Sequence, residues 1–367
     1  MSRVRHTPLT AELGCDYPVI QTAMGWVSTS DLVLASITSG AFGFLAAAVM
    51  TPEEAEAEVK RIKTATDRPF GVNFHAFQPG AERIVDLCID YQVKAVSYGR
   101  APSAKLIEKL KAAGIKCVPT IGAGKHARKA VEMGADILVC QGTEGGGHTG
   151  ATPTWLLLAE VLDQVEVPVV ACGGFRDGRG LAAALVFGAA GIAMGTRFLL
   201  TAESPVPEAT KQAYLSARVT GIPVSEKLDG LPQRMVMNQT LARLEHSGPL
   251  AMLCRGVVNG LKYRSRTGAS FLDLLCTAWT LSRKTDMTLG QTLMAANAPM
   301  LIQKAMVEGD PEKGILPAGQ VAGLIRDLPS CRELIMTLIQ EAESRLALIG
   351  EDLEQGRRQA HAGTHAG

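Results

Sequence analysis

One imidazole, His148, stands in the run Gln141-Gly-Thr-Glu-Gly-Gly-Gly-His-Thr-Gly, among glycines that bring no side chains of their own. Imidazole exchanges protons near neutral pH, which suits a substrate activated next to a carbonyl or nitro group. The glycines let backbone N–H groups approach an anion or a planar ligand closely. Two later stretches repeat that second property. Gly173-Gly174 precedes Asp177-Gly178 at a predicted helix start, and Gly195-Thr196 precedes another helix. Both are candidate nests of N–H donors for a phosphate. Taken singly, each Gly pair reads as well as a turn, and a lone histidine reads as well as a structural or exposed one. His126 falls inside a predicted helix, and His75, close to a predicted strand, is an outside candidate.

The elements that must position these residues follow from the hydrophobic pattern. Short apolar runs at 18–21, 43–47, 70–73, 94–97, 116–120, 137–140, 168–171 and 191–194 read as strands. Helical stretches lie between them at 30–38, 52–66, 81–91, 103–113, 125–133, 154–165 and 178–187. Thr51-Pro-Glu-Glu is the plainest helix start, with Thr as N-cap, Pro in the first turn and Glu at the capping-box position. Strands this short separated by helices imply a parallel sheet, and eight such units imply a (β/α)₈ TIM barrel. A doubly wound open sheet is the alternative, weakened by the lack of an early Gly-x-Gly-x-x-Gly. Ligands of a barrel sit at the C-terminal ends of its strands. That rule gathers Ala23, Met24 and Gly25, then Asn73, Thr120, the Gln141 loop, Cys172-Gly173-Gly174 and Gly195-Thr196 on one face. Loops seven and eight are where such barrels often bind phosphate.

After residue 205 the strand–helix alternation stops. Residues 206–350 read as helices striped with Met, Leu and Ala, forming a C-terminal helical cap on the barrel of residues 1–205, and the polar residues 351–367 read as a disordered tail. Within the cap, Arg255, Lys262, Arg264 and Arg266 make a basic cluster able to hold phosphate charges, or simply a solvated surface. Apolar residues make up 47% of the 367 and charged ones 20%, with a net charge of +1. That balance gives no reason to expect nucleic acid or a membrane as partner, and points to a small molecule. The eight cysteines are scattered without metal-ligand or disulfide spacing, so no metal is expected and a reducing cytoplasm is. No apolar leader precedes the first strand and no run is long enough to span a membrane. The Met-rich helices suit a homodimer.

Five motifs together carry a resemblance: Pro18-Val-Ile-Gln-Thr-Ala-Met-Gly-Trp, Phe70-Gly-Val-Asn, Glu144-Gly-Gly-Gly-His-Thr-Gly, Ala171-Cys-Gly-Gly-Phe and Met194-Gly-Thr-Arg-Phe. Over about residues 5–205 the chain resembles the nitronate monooxygenases, formerly 2-nitropropane dioxygenases, and the related flavin enoyl-thioester reductases. The resemblance implies an FMN-binding barrel with a helical extension. It implies cofactor contacts at Ala23, Met24, Gly25, Asn73, Gln141, Gly146, Gly147, Gly173, Gly174, Gly195 and Thr196, with Thr120 and Cys172 in the same group. It also makes His148 the catalytic histidine. Thr120 stands where some members carry Lys, and Gln141 where some carry Asp. The runs Thr288-Leu-Gly-Gln-Thr-Leu-Met-Ala-Ala-Asn-Ala-Pro-Met and Ala318-Gly-Gln-Val-Ala-Gly-Leu-Ile resemble a branch acting on CoA thioesters in bacterial steroid-ring degradation.

Three functions are therefore expected in order. First is an FMN oxidoreductase that makes or saturates a double bond conjugated to an acyl-CoA carbonyl, with NAD(P)H or NAD(P)⁺ as redox partner. Second is a nitronate monooxygenase, and third a non-catalytic barrel binding a phosphorylated ligand.

Overall fold

Alternation along each short strand decides which residues fill the barrel and which meet the surrounding helices. The computed structural model describes residues 4–99, 101–247 and 298–364. In chain order its strands are β1 (Val19–Gln21), β2 (Phe42–Ala46), β3 (Gly71–Asn73), β4 (Ala95–Tyr98), β5 (Lys116–Ile121) and β6 (Leu138–Gln141). Then come β7 (Gly147–His148), β8 (Val169–Cys172), β9 (Gly191–Met194), β10 (Val224–Ser225) and β11 (Gln233–Arg234). The helices of the first part are α1 (Pro8–Leu13), α2 (Ser30–Thr38), α3 (Pro52–Ala65), α4 (Ala81–Asp90), α5 (Ala104–Ala112) and α6 (Ala127–Glu132). They continue as α7 (Thr154–Leu162), α8 (Gly178–Phe187), α9 (Thr196–Leu199), α10 (Glu208–Leu215), α11 (Gln239–Glu245), α12 (Ala298–Met306) and α13 (Cys331–Thr364).

Eight parallel strands, β1 to β6 with β8 and β9, close into a barrel, β1 pairing with both β2 and β9. The expected TIM barrel is the observed fold. Ile20, Phe42, Phe44, Ala95, Val118, Val139, Val170 and Ala193 fill its interior, and Leu9 and Leu13 of α1 belong to the same cluster. Their strand neighbours Leu45, Val72, Val96 and Cys117 point the other way, into a second cluster with Val59, Ile62, Ile84 and Leu110 of the surrounding helices. Local chemistry sets the helix ends. At α3, Thr51 Oγ1 accepts from the Glu54 N–H at 3.2 Å while Glu54 returns a carboxylate oxygen to the Thr51 N–H at 2.8 Å, the expected capping box.

The chain divides into two compact units. The barrel unit holds Met1–Gly142, Thr152–Ser204 and Leu328–Gly367, and the second unit holds Thr143–Ala151 and Pro205–Asp327. A single cut at residue 205 differs from this in two places. The glycine-rich loop with His148 groups with the second unit, and α13 groups with the barrel. In the barrel unit Glu341 of α13 accepts the Gly178 N–H at 2.9 Å, and a Cβ on Gly178 would stand 2.3 Å from the Leu338 carbonyl oxygen. Close approach of α13 to the start of α8 therefore requires glycine there. The polar tail expected to be disordered from 351 is helical as far as Thr364, continuing α13.

The second unit is not wholly helical as the Met and Leu stripes suggest. Its β10, β11 and β7 form a three-stranded antiparallel sheet, and Leu228, Met235, Leu241, Ala298 and Ile315 make its small core. The helices expected at 270–279 and, apart from Ala298, at 289–298 lie outside the described residues, as does most of the one expected at 241–261. No helix among the described residues is long and apolar enough to cross a membrane. Cys15, Cys88, Cys117, Cys140, Cys172 and Cys331 are all free thiols.

Candidate active site

The rim of the barrel is where burial changes. Along β3, β5 and β6 the residues are buried, apart from Lys116 at the start of β5, until the last inward-facing ones, Asn73, Thr120 and Gln141, which are half-buried. Each follows by two positions a glycine or apolar residue on the inner face, so each side chain projects inward at the C-terminal end. Asn73 Nδ2 donates to the Ser97 carbonyl at 3.0 Å and lies 3.2 Å from Ser97 Oγ. Gln141 and Cys172, expected as the first residues of their loops, are instead the last residues of β6 and β8. Cys172 Sγ lies in the interior cluster, and burial pushes its thiol up to about 12, so at neutral pH it is a small neutral wall rather than a nucleophile.

The loop after β1 is braced by one hydroxyl. Ser28 Oγ accepts from Gln21 Nε2 at 2.8 Å and from the Met24 N–H at 2.9 Å. Inside this brace Trp26 takes φ +62°, a left-handed conformation that costs a bulky residue on the order of 1–3 kcal/mol. Ala23, Met24 and Gly25 are all half-buried. At the neighbouring strand end, a Cβ on Gly195 would stand 3.0 Å from Thr22 Oγ1 and 3.4 Å from Met24 Sδ. Any side chain at Gly195 would crowd that loop.

Gly173 and Gly174 have φ of +108° and +82°, the left-handed backbone a nest requires, and Gly174 is exposed. Thr154 Oγ1 donates to the Gly173 carbonyl at 3.1 Å and holds the turn from below. Thr196, the first residue of α9, is buried. The start of α8 differs from expectation. Asp177 caps the Arg179 N–H at 3.2 Å and Glu341 takes the Gly178 N–H, so protein carboxylates occupy those donors. Burial would raise the Asp177 carboxyl, but hydrogen bonds from Arg179 and Arg176 outweigh it and hold it down at about 2. Of the turns singled out by sequence, those at Gly173-Gly174 and Gly195-Thr196 remain as candidate phosphate nests.

His148 lies in the second unit, with Gly146 and Gly147. Its strand β7 pairs antiparallel with β11, placing His148 opposite Gln233 and Gly147 opposite Arg234. The imidazole is exposed, and its Nε2 is 2.8 Å from Asp229 Oδ2, whose side chain is only 8% exposed. Gln233 Nε2 donates to the same oxygen at 2.5 Å, and the Leu231 N–H donates to Oδ1 at 3.1 Å. Arg234 ties down the start of the loop, donating from Nε to the Thr143 carbonyl and from Nη1 to the Ile222 carbonyl, both at 2.7 Å. Burial lowers the affinity of its guanidinium for its proton, against the opposing charge of Glu144. Gly146 packs closely against backbone. A Cβ there would stand 2.5 Å from the Gly319 nitrogen.

Asp229 and Gln233 have no counterpart among the residues singled out by sequence. A local signal did exist: Asp229-Gly230-Leu-Pro232 is turn chemistry between two short polar runs, and Gly230 takes φ +83°. Only the antiparallel partner, far away in sequence, gives that turn a role. The basic residues Arg255, Lys262, Arg264 and Arg266 lie outside the described residues.

Comparison with known proteins adds a second line of observation. The family model described as nitronate monooxygenase matches residues 6–84 and 77–341. A (3aS,4S,5R,7aS)-5-hydroxy-7a-methyl-1-oxo-octahydro-1H-indene-4-carboxyl-CoA dehydrogenase from Rhodococcus jostii is 47% identical, the match covering 95% of this chain and 99% of that one. The enzyme of the same name from Mycobacterium tuberculosis is 45% identical over 93% of this chain and 97% of its own. Among solved structures, FabK from Thermotoga maritima superposes with a TM-score of 0.77 at 27% identity, covering 94% of this chain and 99% of its own.

Proposed function

Because the chain belongs to the nitronate monooxygenase family and is an oxidoreductase of flavin-dependent type, we propose that it binds FMN and dehydrogenates a bicyclic acyl-CoA thioester next to its carbonyl. The observation that carries the substrate class is 47% identity across 95% of the chain to a hydrindanone-type carboxyl-CoA dehydrogenase. The barrel rim fits the cofactor class. Half-buried inward polar residues lie at the C-terminal ends of β3, β5 and β6, and two glycine turns bring left-handed or side-chain-free backbone to the C-terminal ends of β8 and β9. Gly173, Gly174, Gly195 and Thr196 would hold the phosphate by backbone N–H groups. Asn73, Thr120 and Gln141 would hydrogen-bond the ring edge, with Ala23, Met24, Gly25 and Cys172 as close-packed walls. Gly147 belongs to this proposal as well. Gly146 is explained by its own backbone contact.

FMN, when bound, supplies the two-electron acceptor that takes hydride from the substrate β-carbon. The chain's part is the proton. His148 would remove the proton from the α-carbon, acidified by the thioester carbonyl, and become an imidazolium as the double bond forms. The four described cysteines beyond the barrel rim and Cys140 are free and buried or half-buried thiols, which supports a reducing cytoplasm. A pyridine nucleotide as the other redox partner, a homodimer, and a role for the Arg255, Lys262, Arg264 and Arg266 cluster in gripping CoA phosphates are further parts of the reading.

The test is anaerobic mixing of the FMN-loaded enzyme with a hydrindanone-type carboxyl-CoA ester and, separately, with an alkyl nitronate. Bleaching of the flavin absorbance by the CoA ester at a catalytically useful rate is expected. Rapid bleaching by the nitronate alone would replace this reading with the family's nitronate chemistry.

A further inference from the structure

Asp229 is a buried carboxylate within hydrogen-bond distance of the imidazole. The hydrogen-bond inventory around it leaves little choice of protonation pattern. Its Oδ1 accepts from the Leu231 N–H, and its Oδ2 accepts from Gln233 Nε2 at 2.5 Å while facing His148 Nε2 at 2.8 Å. A carboxylate can only accept, so a lone pair on Nε2 would set two electron-rich atoms against each other at hydrogen-bond distance. The Gln233 amide nitrogen lies 3.1 Å from the same Nε2 and already donates one hydrogen to Asp229. The short contact to Asp229 favours a hydrogen on Nε2.

Backbone geometry fixes the pair as firmly as the side chains do. His148 and Gln233 are register partners in the β7–β11 ladder, and the Thr149 N–H donates to the Pro232 carbonyl at 3.1 Å. Asp229 Oδ1, turned onto the Leu231 N–H, is locked by the same hairpin. The contrast in exposure, 59% for the His148 side chain and 8% for Asp229, puts the imidazole outward and its partner inward.

We propose that Asp229 is the positioning residue of His148. It holds the Nε2–H tautomer, directs the Nδ1 lone pair to the proton being moved, and balances the imidazolium charge once that proton has arrived. In atoms, the substrate Cα–H bond breaks, the proton joins Nδ1, the C–H electron pair becomes the new double bond, and hydride leaves from Cβ to the flavin. Asp229 accepts a hydrogen bond that shortens as the ring becomes cationic. Gln233 supports it by occupying the same oxygen and keeping the carboxylate plane fixed. This rests on the reading of His148 as the base.

The experiment uses the full-length FMN-loaded enzyme with a hydrindanone-type carboxyl-CoA ester. Asp229→Asn is expected to lower kcat for flavin reduction on the order of a hundredfold with KM and flavin content little changed. Asp229→Glu is expected to recover part of the loss. The second measurement needs no Asp229 variant. ¹⁵N-histidine labelling, with His148 assigned by its disappearance in His148→Ala, should show the Nε2–H tautomer in the unaltered enzyme. A dominant Nδ1–H tautomer there, or Asp229→Asn and Asp229→Ala enzymes that keep FMN and full kcat, would overturn the inference. If His148→Ala itself retains full turnover, the base reading has failed instead. If His148→Ala loses it and the Asp229 variants do not, only the positioning role has.

Discussion

The barrel rim and the β7–β10–β11 sheet solve different problems with different materials. The rim is built from backbone and small residues: left-handed Gly173 and Gly174, the tight Gly195, and three half-buried polar side chains on β3, β5 and β6. It is suited to gripping a large ligand at many weak points. The sheet instead concentrates its chemistry in one side-chain couple, His148 with Asp229, fixed by Gln233 and a ladder register. Losing one rim contact should weaken binding in proportion, whereas losing the imidazole should remove a step. On the proposed reading, binding is distributed and proton transfer is not.

That contrast sets the order of effects. His148→Ala is expected to lower the rate of flavin reduction by about 10²- to 10⁴-fold while leaving FMN bound, read by anaerobic stopped-flow absorbance. An unchanged rate would collapse the distinction between the two regions. Gly173→Val forces a β-branched residue to φ +108° and should raise the FMN dissociation constant about tenfold or more, with His148 chemistry intact in enzyme saturated with FMN. Fluorescence titration of the apoprotein measures it. Gln233→Ala should have a smaller effect on kcat than any Asp229 substitution, since it removes a support rather than the carboxylate, and steady-state comparison of the variants decides. Smallest of all, Asp177→Asn should leave turnover untouched and lower stability by about 1 kcal/mol at neutral pH, through loss of the ion pairs with Arg176 and Arg179, since asparagine keeps the helix cap. Its sign with pH follows from the depressed carboxyl, held at about 2 by Arg179 and Arg176 against burial. The stabilisation is present above the ordinary carboxylate range near pH 4 and is lost as pH falls through about 2, so denaturation curves of the two proteins should converge there.

Much of the barrel was legible because its signals are local. Every one of the eight barrel strands falls within a residue or two of an apolar run in the sequence, and the box at Thr51 and Glu54 formed as its spacing predicts. Strand and helix periods act over a few residues, so a single chain displays them. The placement of Asn73, Thr120 and Gln141 at strand ends was legible for the same reason. Where the reading slipped, a distant partner was responsible. The start of α8 resembles an anion site until Glu341, from a helix more than a hundred residues later, takes the Gly178 N–H. Gly146 reads as an open glycine in the chain, and only the fold brings the Gly319 backbone against it.

The sequence by itself determined the strand–helix alternation, the glycine turns that follow it and the single imidazole among them, because these depend on backbone sterics and side-chain period. Tertiary structure decided what that imidazole is coupled to. Asp229 is an ordinary turn aspartate in the chain, and only antiparallel pairing of β7 with β11 brings its carboxylate within 2.8 Å of His148. Pairing across such a distance is set by which surfaces bury one another and which hydrogen bonds close, and no local pattern encodes that choice.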